Sequence, residues 1–206
     1  MATGPEHALP LVARPGPVLP DHLRADAARN REALLEAAAA LVAESCVGAV
    51  TMDAVAQRAG VGKGTVFRRF GSREGLMGAL LNLSEAEWQT AVLSGPPPLG
   101  PGAPPYDRLV AFGRSRLEST LRHAELIAAA GVAGRRSLPA WSFAAMHVRI
   151  LLEQLGVDGD LPVLTTALLA PLEMPVLSQQ LDGDGFPVQR VLDGWVDLLE
   201  RVTRRS

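Results

Sequence analysis

Cysteine is all but missing from this 206-residue chain. Cys46 stands alone, which excludes a disulfide within the chain and any cysteine-based metal cluster. Histidine is scarce and scattered over His7, His22, His123 and His147, with no HExxH or similar pair, so neither a metal enzyme nor a bound metal is expected. Aromatics make up only 4% of the residues, and no segment alternates apolar and polar with period two, which argues against sheet. Long apolar runs are lacking too. The stretches around 34–43 and 161–177 are broken by Glu36 and by Pro162, Pro171 and Pro175, so neither would span a bilayer. The first residues have no basic start followed by an apolar segment, so they do not read as a signal peptide. A soluble, cytoplasmic protein without a membrane partner is expected.

What is present favours helix. Alanine, leucine and arginine dominate, and 48% of the residues are hydrophobic. Residues 1–20 are proline-punctuated and aperiodic, and read as a flexible arm. Leu34, Leu35, Ala38, Leu41 and Val42 then form one apolar stripe, predicting a helix over about 24–45. Thr51 is a good N-cap for a short helix over 52–59, which Gly60 stops. A second short helix is expected from near Lys63 to Phe70, and Ser72 caps a longer one to about residue 92. Ser94 to Pro105 is a proline-glycine linker. Beyond it the pattern predicts helices over about 106–130, 140–155 and 160–181, the last kinked at Pro171 or Pro175, and a final helix. The stretch GVAGRRSLP separates the first two of these, and DGDGFP precedes the final helix. The fold class is all-α.

Net charge is −2, but it is unevenly spread. Ala54 to Arg73 hold Arg58, Lys63, Arg68, Arg69 and Arg73 and no acid, a local basic surface on a mildly acidic body. The stretch GVGKGTVFRRFGSREGL, Gly60 to Leu76, could hold phosphates as a nucleotide loop or as a DNA-reading element. The nucleotide loop fails on spacing. Gln57 stands where the first P-loop glycine belongs, Gly64 where Ser or Thr belongs, and the preceding segment is helical. Two short helices joined by a glycine turn, behind a longer helix, make a helix-turn-helix. On the second short helix Val66 and Phe70 face inward, Gly64 and Arg68 face outward, and Thr65 and Phe67 flank them. A small, basic helix start can enter the major groove without clash.

The segment VTMDAVAQRAGVGKGTVFRRFGSREGLMGALL closely resembles the DNA-binding domain of TetR-family transcriptional regulators, over about residues 24–83. The resemblance rests on Thr51, Val55, Ala56, Ala59-Gly60-Val61, Gly64-Thr65-Val66-Phe67, Phe70, Ser72, Glu74 and Leu76. The family commonly has tyrosine at Phe67, histidine at Arg69 and lysine at Arg73. Phe67 has no hydroxyl for a phosphate, so its role narrows to packing on sugar or a thymine methyl. The expected assignment gives Lys63, Gly64 and Arg68 to base edges, with Arg68 on guanine. Thr51, Thr65, Arg69 and Arg73 are given to phosphates. Arg24, Arg29 and Arg31 add backbone or minor-groove contacts.

The resemblance further implies an N-terminal three-helix DNA-binding domain, residues 21–72, and a helical ligand-binding and dimerisation domain, residues 73–206. It implies a ligand-responsive regulator and not an enzyme: a cytoplasmic, nucleoid-associated repressor. Such a protein binds a (pseudo)palindromic operator in double-stranded DNA as a homodimer and answers a small, mainly hydrophobic effector; no cofactor is expected. Trp88, Phe112, Leu121, His123, Trp141, Phe143, Met146, His147 and Thr165 are candidate effector contacts. The stripe Val188, Val191, Leu192, Trp195, Leu198, Leu199 and Val202, with Leu164, Leu168 and Leu172, is the candidate dimer surface. The alternative is a helical small-molecule-binding protein without sequence-specific DNA binding, whose basic patch is incidental.

Overall fold

The computed structural model describes residues 21–131 and 137–204, with side chains from residue 25 onward. The expected N-terminal arm, the middle of the GVAGRRSLP break and the Arg24 side chain lie outside the described residues. Those described are helical, with no strand among them.

Helix α1 (Asp21–Glu44) leads into a 3-10 turn at Val47–Ala49, then α2 (Met52–Arg58), α3 (Lys63–Phe70) and α4 (Arg73–Ser94). Each start has a local cause. The Thr51 hydroxyl accepts a hydrogen bond from the Ala54 amide at 3.0 Å, and the Ser72 hydroxyl one from the Gly75 amide at 3.1 Å. Gly60 and Gly71, with φ of +67° and +75°, close α2 and α3 in the left-handed region that only glycine enters without strain.

Beyond the linker come α5 (Pro105–Arg122), α6 (Ala124–Ala129), α7 (Leu138–Leu155), α8 (Leu161–Leu169), α9 (Met174–Ser178) and α10 (Val188–Thr203). The single helix expected over 106–130 is two helices, broken at His123, whose ring Nδ1 lies 2.8 Å from the Ser119 carbonyl. The kink expected near residues 171–175 is a fuller break. Leu161–Leu172 and Met174–Gly183 meet at 49°, because Pro171 and Pro175 each lack an amide to donate. No single helix among the described residues is long and apolar enough to cross a membrane.

Two apolar cores result. The first joins α1, α2, α3 and the start of α4 through Leu34, Ala38, Val55, Val66, Leu76 and Met77. The second joins the end of α4 to α5, α7, α8 and α10 through Val92, Phe112, Val148, Leu168 and Trp195. The boundary expected after residue 72 falls inside the first core, which runs on to Leu80. It also takes in Leu126 and Ala130, from α6 and its C-cap. Both α4 and α6 therefore link the two bodies.

Candidate nucleic-acid interface

Helix α3 is held by its inner side. Val66 is fully buried against the first core with Val55, and Phe70 is half-buried beside them. At 100° per residue this turns Gly64 and Arg68 outward and Phe67 to the flank, while Lys63 stands at the helix start, and all four are exposed. Phe67 is 42% accessible, a large exposed apolar surface. The turn before α3 is short because the Gly60 and Val61 amides bond back to Gln57 and Ala56, at 3.2 and 3.0 Å. The result is a small, basic, protruding helix start on a rigid base.

The cations of this face differ in what already holds them. Arg58 makes paired hydrogen bonds to Glu44 and so staples α2 to α1. Lys63 Nζ lies 2.7 Å from Asp53 Oδ2. Arg69 donates to the Ala27 carbonyl at 2.7 Å. Among the described residues Arg68 has only the Thr65 hydroxyl, at 3.2 Å, the longest of these contacts. Arg73, expected on a phosphate, is bound within the chain. It is half-buried, and it donates to the carbonyls of Val50 at 2.8 Å and Val47 at 2.7 Å. A guanidinium fixed on the carbonyls that open and follow the 3-10 turn is a structural clamp between α4 and the connection from α1 to α2. In α1, Arg29 pairs with Asp26, and the Arg31 guanidinium lies 5.7 Å from the centre of the Phe70 ring.

The expected effector contacts do not form one pocket. Trp88, Phe112, Phe143 and His147 pack as an aromatic cluster in the second core. His147 stacks on Phe112 at 5.3 Å and on Phe143 at 6.2 Å, and Trp88 meets both phenylalanines edge-on. Burial, helped by the Arg108 charge, depresses the His147 imidazole to about 4, so it is neutral at physiological pH. Trp141 and Thr165 line a separate groove between α7 and α8, with Met146 at its exposed edge. His123 lines a third place, a cleft among α4, α5 and α6 with Glu85, Arg116, Ser119 and Thr120. Leu121 packs on the second core and lines none of these. Candidates on α7 separate because residues 143 and 147 share one side of the helix while 141 and 145 share another.

Arg116 and Glu85 were not among the sequence candidates. Arg116 is 1% exposed, pairs with Glu85 at 2.8 Å and sits 4.4 Å from the Trp88 ring centre. The signal was legible: Arg116 stands in the apolar row Leu109, Phe112, Gly113, Leu117 of α5, where a charge needs a partner. Glu173 shares the neighbourhood, and burial pushes its carboxyl up to about 7.

Most of the expected dimer stripe is the chain's own core. Leu168, Leu172, Val191, Leu192, Trp195 and Leu199 are all buried within one chain. The Trp195 indole donates to the Leu168 carbonyl at 2.7 Å, and its ring lies directly on Gly113. Gln189, Arg190, Asp193, Asp197 and Arg201 form the outward face of α10. Val188 is exposed, and Leu164, Leu198 and Val202 are half-buried. These four are the members of the stripe still open to a partner.

A glycine-turned helix pair followed by further helices defines the class among the described residues: a helix-turn-helix domain with a helical second domain. Residues 34–80 match the family model for bacterial regulatory proteins of the tetR family. The fold is shared with solved structures of low sequence identity. A TetR-family transcriptional regulator from Pectobacterium atrosepticum superposes with a TM-score of 0.65 at 20% identity, covering 86% of this chain and 94% of that one. The Thermus thermophilus repressor FadR, in complex with lauroyl-CoA, gives 0.57 at 19% identity, covering 85% and 96%. The Bacillus subtilis regulator FadR, in complex with stearoyl-CoA, gives 0.54 at 12% identity, covering 82% and 97%. No curated protein matches the chain.

Proposed function

We propose that the chain is a ligand-responsive transcriptional repressor in the cytoplasm, associated with the nucleoid, that binds a (pseudo)palindromic operator as a homodimer. The observation that carries this is the outward side of α3. Lys63, Gly64, Phe67 and Arg68 stand exposed on a helix whose other side is anchored in the core. Arg68 is the less engaged of the two cations there, free to swing into a bidentate contact with guanine O6 and N7. Thr65 lies beside it, Thr51 is exposed at the start of α2, and Arg69 needs to release only one carbonyl to reach a phosphate.

The effector is a small, mainly apolar molecule; two structural neighbours hold ligands with an apolar acyl chain, stearoyl-CoA and lauroyl-CoA. Its signal has a route. Leu126 and Ala130, at and just after α6, belong to the first core, whereas α5, directly before α6, belongs to the second. A ligand that shifts α5 against α4 would tilt α6 and with it the DNA-binding head. Its differential affinity for the two arrangements sets how far the equilibrium moves.

The test is a fluorescence-anisotropy titration with duplex DNA from upstream of the gene and with a shuffled control, at two salt concentrations. Arg68→Ala is expected to lose about 1–3 kcal/mol on the preferred duplex and little on the control. Arg69→Ala is expected to weaken both alike and to flatten the salt slope. Equal loss on both duplexes for Arg68→Ala would remove its base-reading role.

A further inference from the structure

Among the basic residues of α3, Lys63 is singular in having an acid brought to it from another helix. Asp53 lies in the first turn of α2, ten residues earlier, and the tight turn folds its carboxylate back onto the start of α3. Asp53 Oδ2 lies 2.7 Å from Lys63 Nζ, and the same ammonium lies 5.8 Å from the centre of the Phe67 ring. Both members of the pair are more than half exposed, so neither core packing nor desolvation placed them together. Gly64, Phe67 and Arg68 are exposed along α3 and Lys63 stands at its start, one turn before Phe67, so the ammonium sits at the front of the surface that would face the groove. An unrestrained lysine there is a long, flexible point charge that finds any phosphate within reach.

We propose that Asp53 is a positioning residue for DNA selectivity: it holds the Lys63 ammonium over Phe67, toward base edges and away from the backbone. The inference rests on α3 being the DNA-reading helix. A carboxylate at a polyanion interface opposes binding to every sequence, because it repels phosphate. That penalty falls alike on operator and random DNA. The benefit falls only where a base acceptor lies under the fixed ammonium. Tethering Lys63 also removes one cation from the backbone contacts and lowers the counterion release that drives non-specific binding.

The experiment compares wild type, Asp53→Asn, Lys63→Met and the double variant. The probes are a duplex selected by the wild type from a random pool and a random-sequence duplex of equal length, each titrated across a salt series. Asparagine keeps the shape of the side chain, and thermal unfolding of each variant reports any loss of structure separately. Asp53→Asn should bind the random duplex about three- to tenfold more tightly, with a salt slope steeper by about 0.9, one further phosphate. The selected duplex should gain less, so the ratio between the two narrows. In the Lys63→Met background the Asp53 substitution should change neither slope nor ratio. An unchanged random-DNA slope in Asp53→Asn overturns the inference. So does a narrowed ratio that persists without Lys63, because the bare repulsion of Asp53 falls alike on both duplexes. A wild type that enriches no duplex, and binds random DNA no better than Arg68→Ala and Arg69→Ala do, overturns the α3 reading itself, and this inference with it.

Discussion

Gly64→Ala separates what α3 needs for folding from what it needs for DNA. Gly64 lies inside a helix, with ordinary helical backbone, and a methyl added there would meet no atom of the protein within 4 Å. Alanine is the better helix former by about 0.5–1 kcal/mol, partly because it restricts the unfolded chain. Position two of the helix lies near its frayed end, so the lower figure is expected. The substitution should therefore raise the urea midpoint slightly. On DNA the sign reverses. Gly64 stands between Lys63 and Arg68 on the outward side, where a methyl would push the helix start away from the bases. Misplacing the contacts on either side should cost about 1–3 kcal/mol, or roughly five- to 150-fold in Kd on a preferred duplex. Anisotropy and urea unfolding on the same preparation give both numbers. Gly60→Ala is the control: with φ of +67° it should lose about 1–2 kcal/mol of stability, even though its Cβ also meets nothing. A Gly64→Ala protein that is more stable and binds as tightly as wild type would refute close approach at this residue.

Gly113→Ala should destabilise by about 2 kcal/mol or more in urea unfolding. Its Cβ would lie between 2.2 and 2.6 Å from three atoms of the Trp195 ring, which the indole bond to Leu168 holds in place. Arg73→Ala should lose about 1–3 kcal/mol of stability, because it removes two charged hydrogen bonds to the Val47 and Val50 carbonyls, whereas Arg69→Ala should lose under about 0.5. A fully stable Arg73→Ala that only binds DNA more weakly would restore the phosphate role. His147→Phe should change how stability depends on pH. The folded imidazole is depressed from 6.5 to about 4, so between those values the unfolded chain holds more protons. The His147 contribution is complete above about pH 6.5 and is lost as pH falls toward 4, by on the order of 3 kcal/mol. Glu173, raised from 4.5 to about 7 by burial, acts with the opposite sign as pH rises through its own window. The difference between wild type and His147→Phe cancels that contribution, and parallel curves from pH 7 to 4 would show that His147 is not held neutral by burial.

The sequence made α3 legible because everything that shapes it is local. Thr51 and Ser72 bond amides three residues away, Gly60 and Gly71 supply the left-handed turns, and a 3.6-residue period separates Val66 and Phe70 from Gly64 and Arg68. The partners of the cations were not legible, because they are set by packing between helices. The carbonyls that hold Arg73 lie 23 and 26 residues back, and the one that holds Arg69 lies 42 residues back. Charge content shows that a face is basic. It does not show which of its charges are already committed, and here that is the difference between Arg68 and Arg73.

The stripe on α10 makes the same point about faces. Its period shows that one side of the helix must leave water, but a period carries no information about which chain covers that side. In this protein the cover is internal. Trp195 fills the space over Gly113, and Val191, Leu192 and Leu199 close the second core from α5 and α8. A second copy is left with Val188, the half-buried Leu164, Leu198 and Val202, and exposed α8 residues such as Val163. Specific interfaces keep an apolar centre and a polar rim. A homodimer of this chain would therefore centre on α8 and the edge of α10, with the charged outward side of α10 at its margin. Asp at Val163 or Leu164 should then shift the protein toward monomer in sedimentation analysis. Asp at Leu199 should unfold the protomer itself, because that side chain is fully buried within one chain.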